Sequence, residues 1–281
     1  MKYLDTVRDP RAAQDLLGRI RDCATRPWTL MEVCGGQAHH FLRFGIDREL
    51  PAGLELLHGP SCSVCATPPE TIDRAVELAL TPGVIFCTSG DLLRVPGTRD
   101  SLSDVHAPGG DVRVVYSPLD ALALARKHPD RTVVFLAVGF ETTAPTAAAA
   151  VREADRLGLD NFALLAAHRR AAPALAAALE APGSRVQAFL AAGHAATVTG
   201  LGDYEALAAR YRVPVVVVGS GPVDLLEGIL RAIRHLEDGT WGVENQYARA
   251  VRPEGNPQAR ASIEAVFEPA DAFWRGLGRL P

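Results

Sequence analysis

The chain has 281 residues, 48% apolar and 22% charged, with a net charge of −4. That is ordinary globular composition, and the length predicts about two domains of roughly 100–150 residues, each able to bury its own core. Mixed charge without a basic run or interleaved aromatics argues against nucleic acid, and no segment approaches the roughly 20 apolar residues of a membrane span.

The start, Met1-Lys2-Tyr3-Leu4-Asp5, is charged and lacks the apolar core of a signal peptide, which predicts a cytoplasmic protein. The chain has five cysteines. An odd number in a cytosolic chain argues against a disulfide framework. Ligands, nucleophiles or core fillers are the remaining readings.

Cys23 lies in the first helical region and reads as packing. The run 29–33 predicts a strand. It leads into Cys34-Gly35-Gly36 and a helix over about 37–44. Glycines there let backbone approach a ligand, and helix N-terminal amides favour a thiolate, a good soft ligand for iron or zinc. A buried strand-end cysteine is the plainer alternative. A second strand, 54–57, precedes His58-Gly59-Pro60-Ser61-Cys62-Ser63-Val64-Cys65. Thr67, Pro68 and Glu70 then predict a capped helix over 68–80. A cysteine pair just before a helix suits dithiol–disulfide exchange. It also suits a metal site completed by Cys34 with His39 or His58, since two ligands cannot close one. Inert turn cysteines are the third reading.

Strand 84–87 ends at Cys87, read as core, before Ser89-Gly90-Asp91. Asp91 is placed to cap a helix and to pair with Arg94. Strand 112–116 and helix 118–127 follow. Strand 132–138 is the most apolar and leads to Gly139-Phe140-Glu141-Thr142-Thr143 and helix 145–157. Glu141 thus falls at the carboxyl end of a parallel strand, the usual ligand edge, with Thr142 or Thr143 as the cap. Strand 162–166, helix 171–180, strand 186–190, His194, helix 204–211, strand 213–218 and helix 223–236 complete the series. Strand–helix alternation with continuously apolar strands predicts an α/β fold: two parallel-sheet domains facing a cleft. The polar break Lys127-His128-Pro129-Asp130-Arg131 places them at 1–127 and 128–238, with 239–281 a more polar extension packing back. No nucleotide-binding loop or hydrolase elbow is present, which disfavours a nucleotide-driven enzyme.

The motifs at 31–39, 58–68, 90–97, 116–122, 139–145, 193–194, 243–247 and 274–278 together resemble the HypD family of NiFe-hydrogenase maturation factors. Their order and spacing match from about Met31 to Pro281. The resemblance implies a scaffold for the Fe(CN)2CO moiety, working with a small HypC-like chaperone and receiving cyanide through a HypE-like donor. It implies Cys34 as the iron-holding thiolate and Cys62 with Cys65 as a redox pair. It implies His39, Asp91, Glu141, Thr142 and His194 as cleft residues. Departures from the family pattern are Gln37 and Ala38 for His-Thr, Ser61 and Ser63 for Gly and Pro, Ala192 for Pro, and Gly219-Ser220-Gly221-Pro222 for Gly-Phe-Glu-Pro. The family also implies a C-terminal 4Fe-4S domain. No cysteine follows Cys87, so the expectation is a short form without the cluster's ligands. Two other functions stay open at this point: a thiol–disulfide oxidoreductase, and a degenerate paralogue acting only as an interaction protein.

Overall fold

The computed structural model describes residues 6–106 and 109–281. Residues 1–5, on which the absence of a signal peptide was read, lie outside the described residues. The strands are β1 Trp28–Glu32, β2 Leu54–His58, β3 Val84–Thr88, β4 Val112–Val114, β5 Thr132–Gly139, β6 Phe162–His168, β7 Ala188–Ala192, β8 Pro214–Val218, β9 Gly242–Asn245, β10 Ala272–Trp274 and β11 Gly278–Leu280. The eight expected strands are β1 to β8, displaced by no more than a few residues.

Two parallel sheets form, as the sequence predicted. One has the order β2-β1-β7-β8-β9, the other β4-β3-β5-β6. Each belongs to its own compact unit. The first unit runs to Cys62 and resumes over Ala171–Pro257; the second is Ser63–Arg170 with Gln258–Pro281. The expected division at 127/128 is therefore not the one the strands make. Parallel strands are joined by long crossovers, so hydrogen-bond partners need not be sequence neighbours. Here β1 takes β7 as a partner through Leu30↔Ala188 and Glu32↔Leu190, and the second unit is inserted between them. Residues 239–281 are likewise no single extension. β9 completes the first sheet, and the β10–β11 hairpin belongs to the second unit.

In the first unit, alternate strand residues face opposite layers. Leu190 and Val216 pack with Leu16 and Ile20 of the Pro10–Cys23 helix and Leu225, Ile229 and Ile233 of the Pro222–Glu237 helix. Phe189, Val215 and Val217 face Tyr204 and Leu207 of the Gly202–Tyr211 helix. Each fully buried aliphatic side chain contributes about 1.5–3 kcal/mol, which fixes the strand register and with it the strand ends.

The second unit repeats the plan. Phe86 and Leu136 pack on Ile72 and Ala75 of the Pro69–Leu80 helix. Ile85, Val133 and Phe135 pack on Ala121 and Ala125 of the Pro118–Lys127 helix and Ala147 of the Ala144–Arg156 helix. A capping box of Ser117 and Asp120 starts the Pro118–Lys127 helix. Among the described residues no helix is long and apolar enough to cross a membrane.

Candidate functional site

Where a parallel sheet reverses its strand order, the crossovers leave on opposite sides and a crevice opens at the strands' carboxyl ends. In the first sheet the reversal falls between β1 and β7. Cys34 follows β1 and His194 follows β7. In the second sheet it falls between β3 and β5. Asp91 follows β3; Glu141 and Thr142 follow β5. Cys34, His194, Asp91, Glu141 and Thr142 thus follow strands that flank the switch points, whereas Cys62 and Cys65 follow the edge strand β2.

Cys34 occupies the N-cap of the Gly35–Arg43 helix in extended conformation. It is 6% exposed and packs against Ala192 and Ala195. Its Sγ lies 3.8 Å from His194 Nδ1. Burial raises the thiol pKa. The backbone N–H groups of Gln37 and Gly36 pull it down, and the Glu32 carboxylate adds to the rise. The helix amides expected to favour a thiolate are therefore present but outweighed by desolvation. A cation at Sγ would supply the missing compensation. His194 is exposed as a residue, yet desolvation of its ring lowers its pKa and so favours the neutral imidazole.

Glu32 escaped selection from the sequence. It is fully buried. Its Oε2 accepts the Cys34 backbone N–H at 2.8 Å, and its Oε1 meets His58 Nδ1 at 2.8 Å. Burial raises its pKa, while those two hydrogen bonds lower it. The available signal was a carboxylate ending an otherwise apolar strand, where an isolated charge is costly.

Gln37 is buried. Its Nε2 donates to Ala191 O at 3.3 Å and Val218 O at 3.4 Å, and its Oε1 has no hydrogen-bond partner among the described residues. It joins the ends of β7 and β8 to the helix behind Cys34. His39 is exposed on the same helix, its ring 5.7 Å from that of His40. His40 Nδ1 in turn reaches Ser220 O.

Cys62 and Cys65 are disulfide-bonded, and Cys23, Cys34 and Cys87 are free. The capping box expected after them does not form. Pro68 is the N-cap of the Pro69–Leu80 helix, and Thr67 Oγ1 donates to Ser63 O at 2.9 Å instead. The short preceding turn, Ser63–Ala66, claims the threonine first. Arg275 of the hairpin holds this stretch, its N–H donating to Ala66 O at 2.9 Å and its Nε to Thr67 O at 2.9 Å. Cys87 is fully buried, its thiol pushed up to about 12 by desolvation, which matches a core residue.

In the second unit Asp91 caps no helix: it is exposed in a turn and accepts from Ser89 Oγ at 2.6 Å. Glu141 and Thr142 are half-buried in the turn before Ala144. Thr143 holds the N-cap position, but its hydroxyl returns to Phe140 O at 3.1 Å. Sequence reasoning also passed over His168 and Arg169 at the end of β6. Burial takes His168 down to about 4, and Arg169 donates to Phe273 O at 3.1 Å beside the buried Trp274.

A family model, HypD, described as the hydrogenase formation hypA family, matches residues 11–281. The chain belongs to the HypD family. The HypD of Rhodobacter capsulatus, named a hydrogenase maturation factor, is 43% identical over all of this chain and 76% of its own length. The HypD of Azotobacter vinelandii is 45% identical with the same coverage, and that of Escherichia coli strain K12 is 43% identical over 99% of this chain and 77% of its own length. In this HypD-family chain the motif at 243–247 is scaffolding. Gln246 Nε2 donates to Asp224 Oδ1 at 2.9 Å, and Arg249 NH1 bonds the same oxygen at 2.8 Å, locking β9 to the start of the Pro222–Glu237 helix.

Proposed function

We propose that this chain acts in hydrogenase maturation as a scaffold on which an Fe(CN)2CO fragment is assembled, iron being its cargo. The observation that carries the reading is the placement of Cys34 and His194, 3.8 Å apart at the switch point of the first sheet. A soft sulfur donor beside a neutral imidazole suits iron. Cys34 holds the metal as a thiolate. Its proton leaves to solvent as the metal takes the sulfur. The Gly36 and Gln37 amides then stabilise the sulfur's charge. The HypD-family resemblance supplies the partners: a small HypC-like chaperone offering a second cysteine, and a HypE-like donor of cyanide.

Cys62 and Cys65 serve as the redox couple: an external dithiol opens the disulfide, giving up two electrons and two protons and becoming a disulfide itself, and the reverse exchange closes it. Their disulfide-bonded state supports this role and keeps the oxidoreductase reading alive beside the scaffold. No step runs through a 4Fe-4S cluster. Three free cysteines in separate packing environments and one disulfide-bonded pair do not make a four-thiolate set.

Anaerobic co-expression with a HypC-like chaperone tests the proposal. The parent chain is expected to co-purify with the chaperone and ferrous iron, and Cys34→Ala to lose the iron. Equal iron in the two would overturn the role of Cys34. A disulfide that cycles reversibly in a chain unable to take up iron would favour the oxidoreductase.

A further inference from the structure

Glu32 is a fully buried carboxylate to which the function above gives no task. An apolar residue of similar size would suit the position at least as well for stability, since a buried ion seldom repays its desolvation. Its contacts are unusual in their direction. Oε2 takes the backbone N–H of Cys34; Oε1 takes Nδ1 of His58. The main-chain oxygen of Glu32 takes the N–H of Gly59 at 2.7 Å. Glu32 and His58 are also register partners across β1 and β2. His58 and Gly59 open the segment that reaches Cys62 four residues later. One residue therefore touches the cap residue of the thiol site and the root of the disulfide segment.

We propose that Glu32 is a positioning residue for both chemistries, its buried carboxylate fixing the Cys34 backbone on one side and the His58–Gly59 root of the cysteine pair on the other. The proposal rests on Cys34 as the metal-holding thiol. Both oxygens have one neighbour each at 2.8 Å. Loss of the carboxylate would release the Cys34 N–H and the His58 ring together. Supporting groups of this kind change metal affinity by about 10–100-fold when removed.

The test uses the full chain without oxygen and cobalt(II) as the probe, read by its thiolate charge-transfer absorption. A second reading is the dithiol–disulfide equilibrium of Cys62 and Cys65 against glutathione. There two glutathione thiols become one glutathione disulfide as the protein disulfide takes up two electrons and two protons. Glu32→Ala is expected to weaken cobalt binding about tenfold or more and to move the thiol equilibrium about tenfold, close to 30 mV. Glu32→Gln keeps an oxygen for the Cys34 N–H and offers its amide to His58, and should recover both readings to within about threefold. His58→Leu should move the thiol equilibrium alone.

A folded Glu32→Ala with parent cobalt affinity, or a Glu32→Gln as damaged as Glu32→Ala, would overturn the proposal. If Glu32→Ala fails to fold, Glu32→Gln and His58→Leu carry the test, and an unmoved equilibrium in His58→Leu refutes the link to the pair. A Cys34→Ala variant that keeps the parent cobalt spectrum would instead overturn Cys34 as the ligand, and the metal half of this proposal with it.

Discussion

Replacing Gly59 by alanine probes how closely the two cysteine motifs are packed. A Cβ at this position would lie 2.8 Å from Val33 Cγ1, 2.9 Å from Glu32 O and 2.9 Å from Met31 Sδ. Ordinary carbon contacts need about 3.5–4 Å, so the misfit is roughly 0.6–1 Å at three atoms. Met31 is partly buried and can turn away. Val33 is buried, and the Glu32 oxygen is backbone of β1. That oxygen already accepts the Gly59 N–H at 2.7 Å, so the backbone cannot retreat without breaking the bond. Overpacking of this sort costs about 1–3 kcal/mol, and the rigid partner argues for the upper half of that range. Urea titration of the parent and Gly59→Ala, followed by circular dichroism and by tryptophan fluorescence, measures it. The two units need not unfold together, so Trp28 and Trp241 report on the first and Trp274 on the second, each read with the other unit's tryptophans replaced by phenylalanine. Loss below about 0.5 kcal/mol would refute the close-packing argument.

Three further outcomes are expected. Asp111 bonds Arg113 Nε at 2.8 Å and Arg131 NH1 at 2.7 Å, and those guanidiniums hold its carboxyl at about 2. A depressed carboxylate stabilises the fold above its unfolded pKa near 4 and loses that effect as pH falls toward 2. The stability gap between parent and Asp111→Asn should thus be about 1–2 kcal/mol at pH 7 and close between pH 4 and 2; a gap independent of pH would refute it. Removing Arg275 frees two carbonyls it bonds through its side chain, Thr67 O and Pro96 O. Hydrogen exchange of the Thr67 amide in Arg275→Ala should quicken by about tenfold, and an unchanged rate would separate the hairpin from the cysteine segment. Alkylation of the native chain at pH 8 should leave Cys87 unmodified until the protein unfolds, because its thiol is both buried and held near 12; labelling at the rate of Cys23 would refute that assignment.

Strand ends were the most legible feature. Short apolar runs, several of them continuous, marked β1 to β8, and Cys34, His194, Asp91 and Glu141 could be placed just past strand ends before any coordinates. What the sequence hid was partnership. Nothing local in 29–33 says that β1 pairs with β7, because a parallel strand's partner is chosen by tertiary packing. β9 was missed for a different reason. Gly242–Asn245 is half-buried and carries Glu244, so it lacks the apolar signature of an inner strand. Glu32 was missed because one carboxylate in a motif reads as solvated until its burial is known. The thiol pKa was misread for the same cause: helix position is visible in sequence, desolvation is not.

The interrupted sheet orders events during synthesis. Thr29 and Gln187, hydrogen-bonded in the finished protein, lie 158 residues apart in the chain. At about 5–20 residues per second a ribosome needs on the order of ten seconds to cover that interval. β1 and β2 alone are too few strands to stand, whereas β3 to β6 form a complete sheet that has emerged by His168. The β3–β6 sheet therefore has its strands in hand while β1 still waits for β7. Cys34 stays an open thiol until Ala192 and Ala195 arrive to cover it. The packing around Cys34 is therefore completed only on the finished protein, not on the nascent chain.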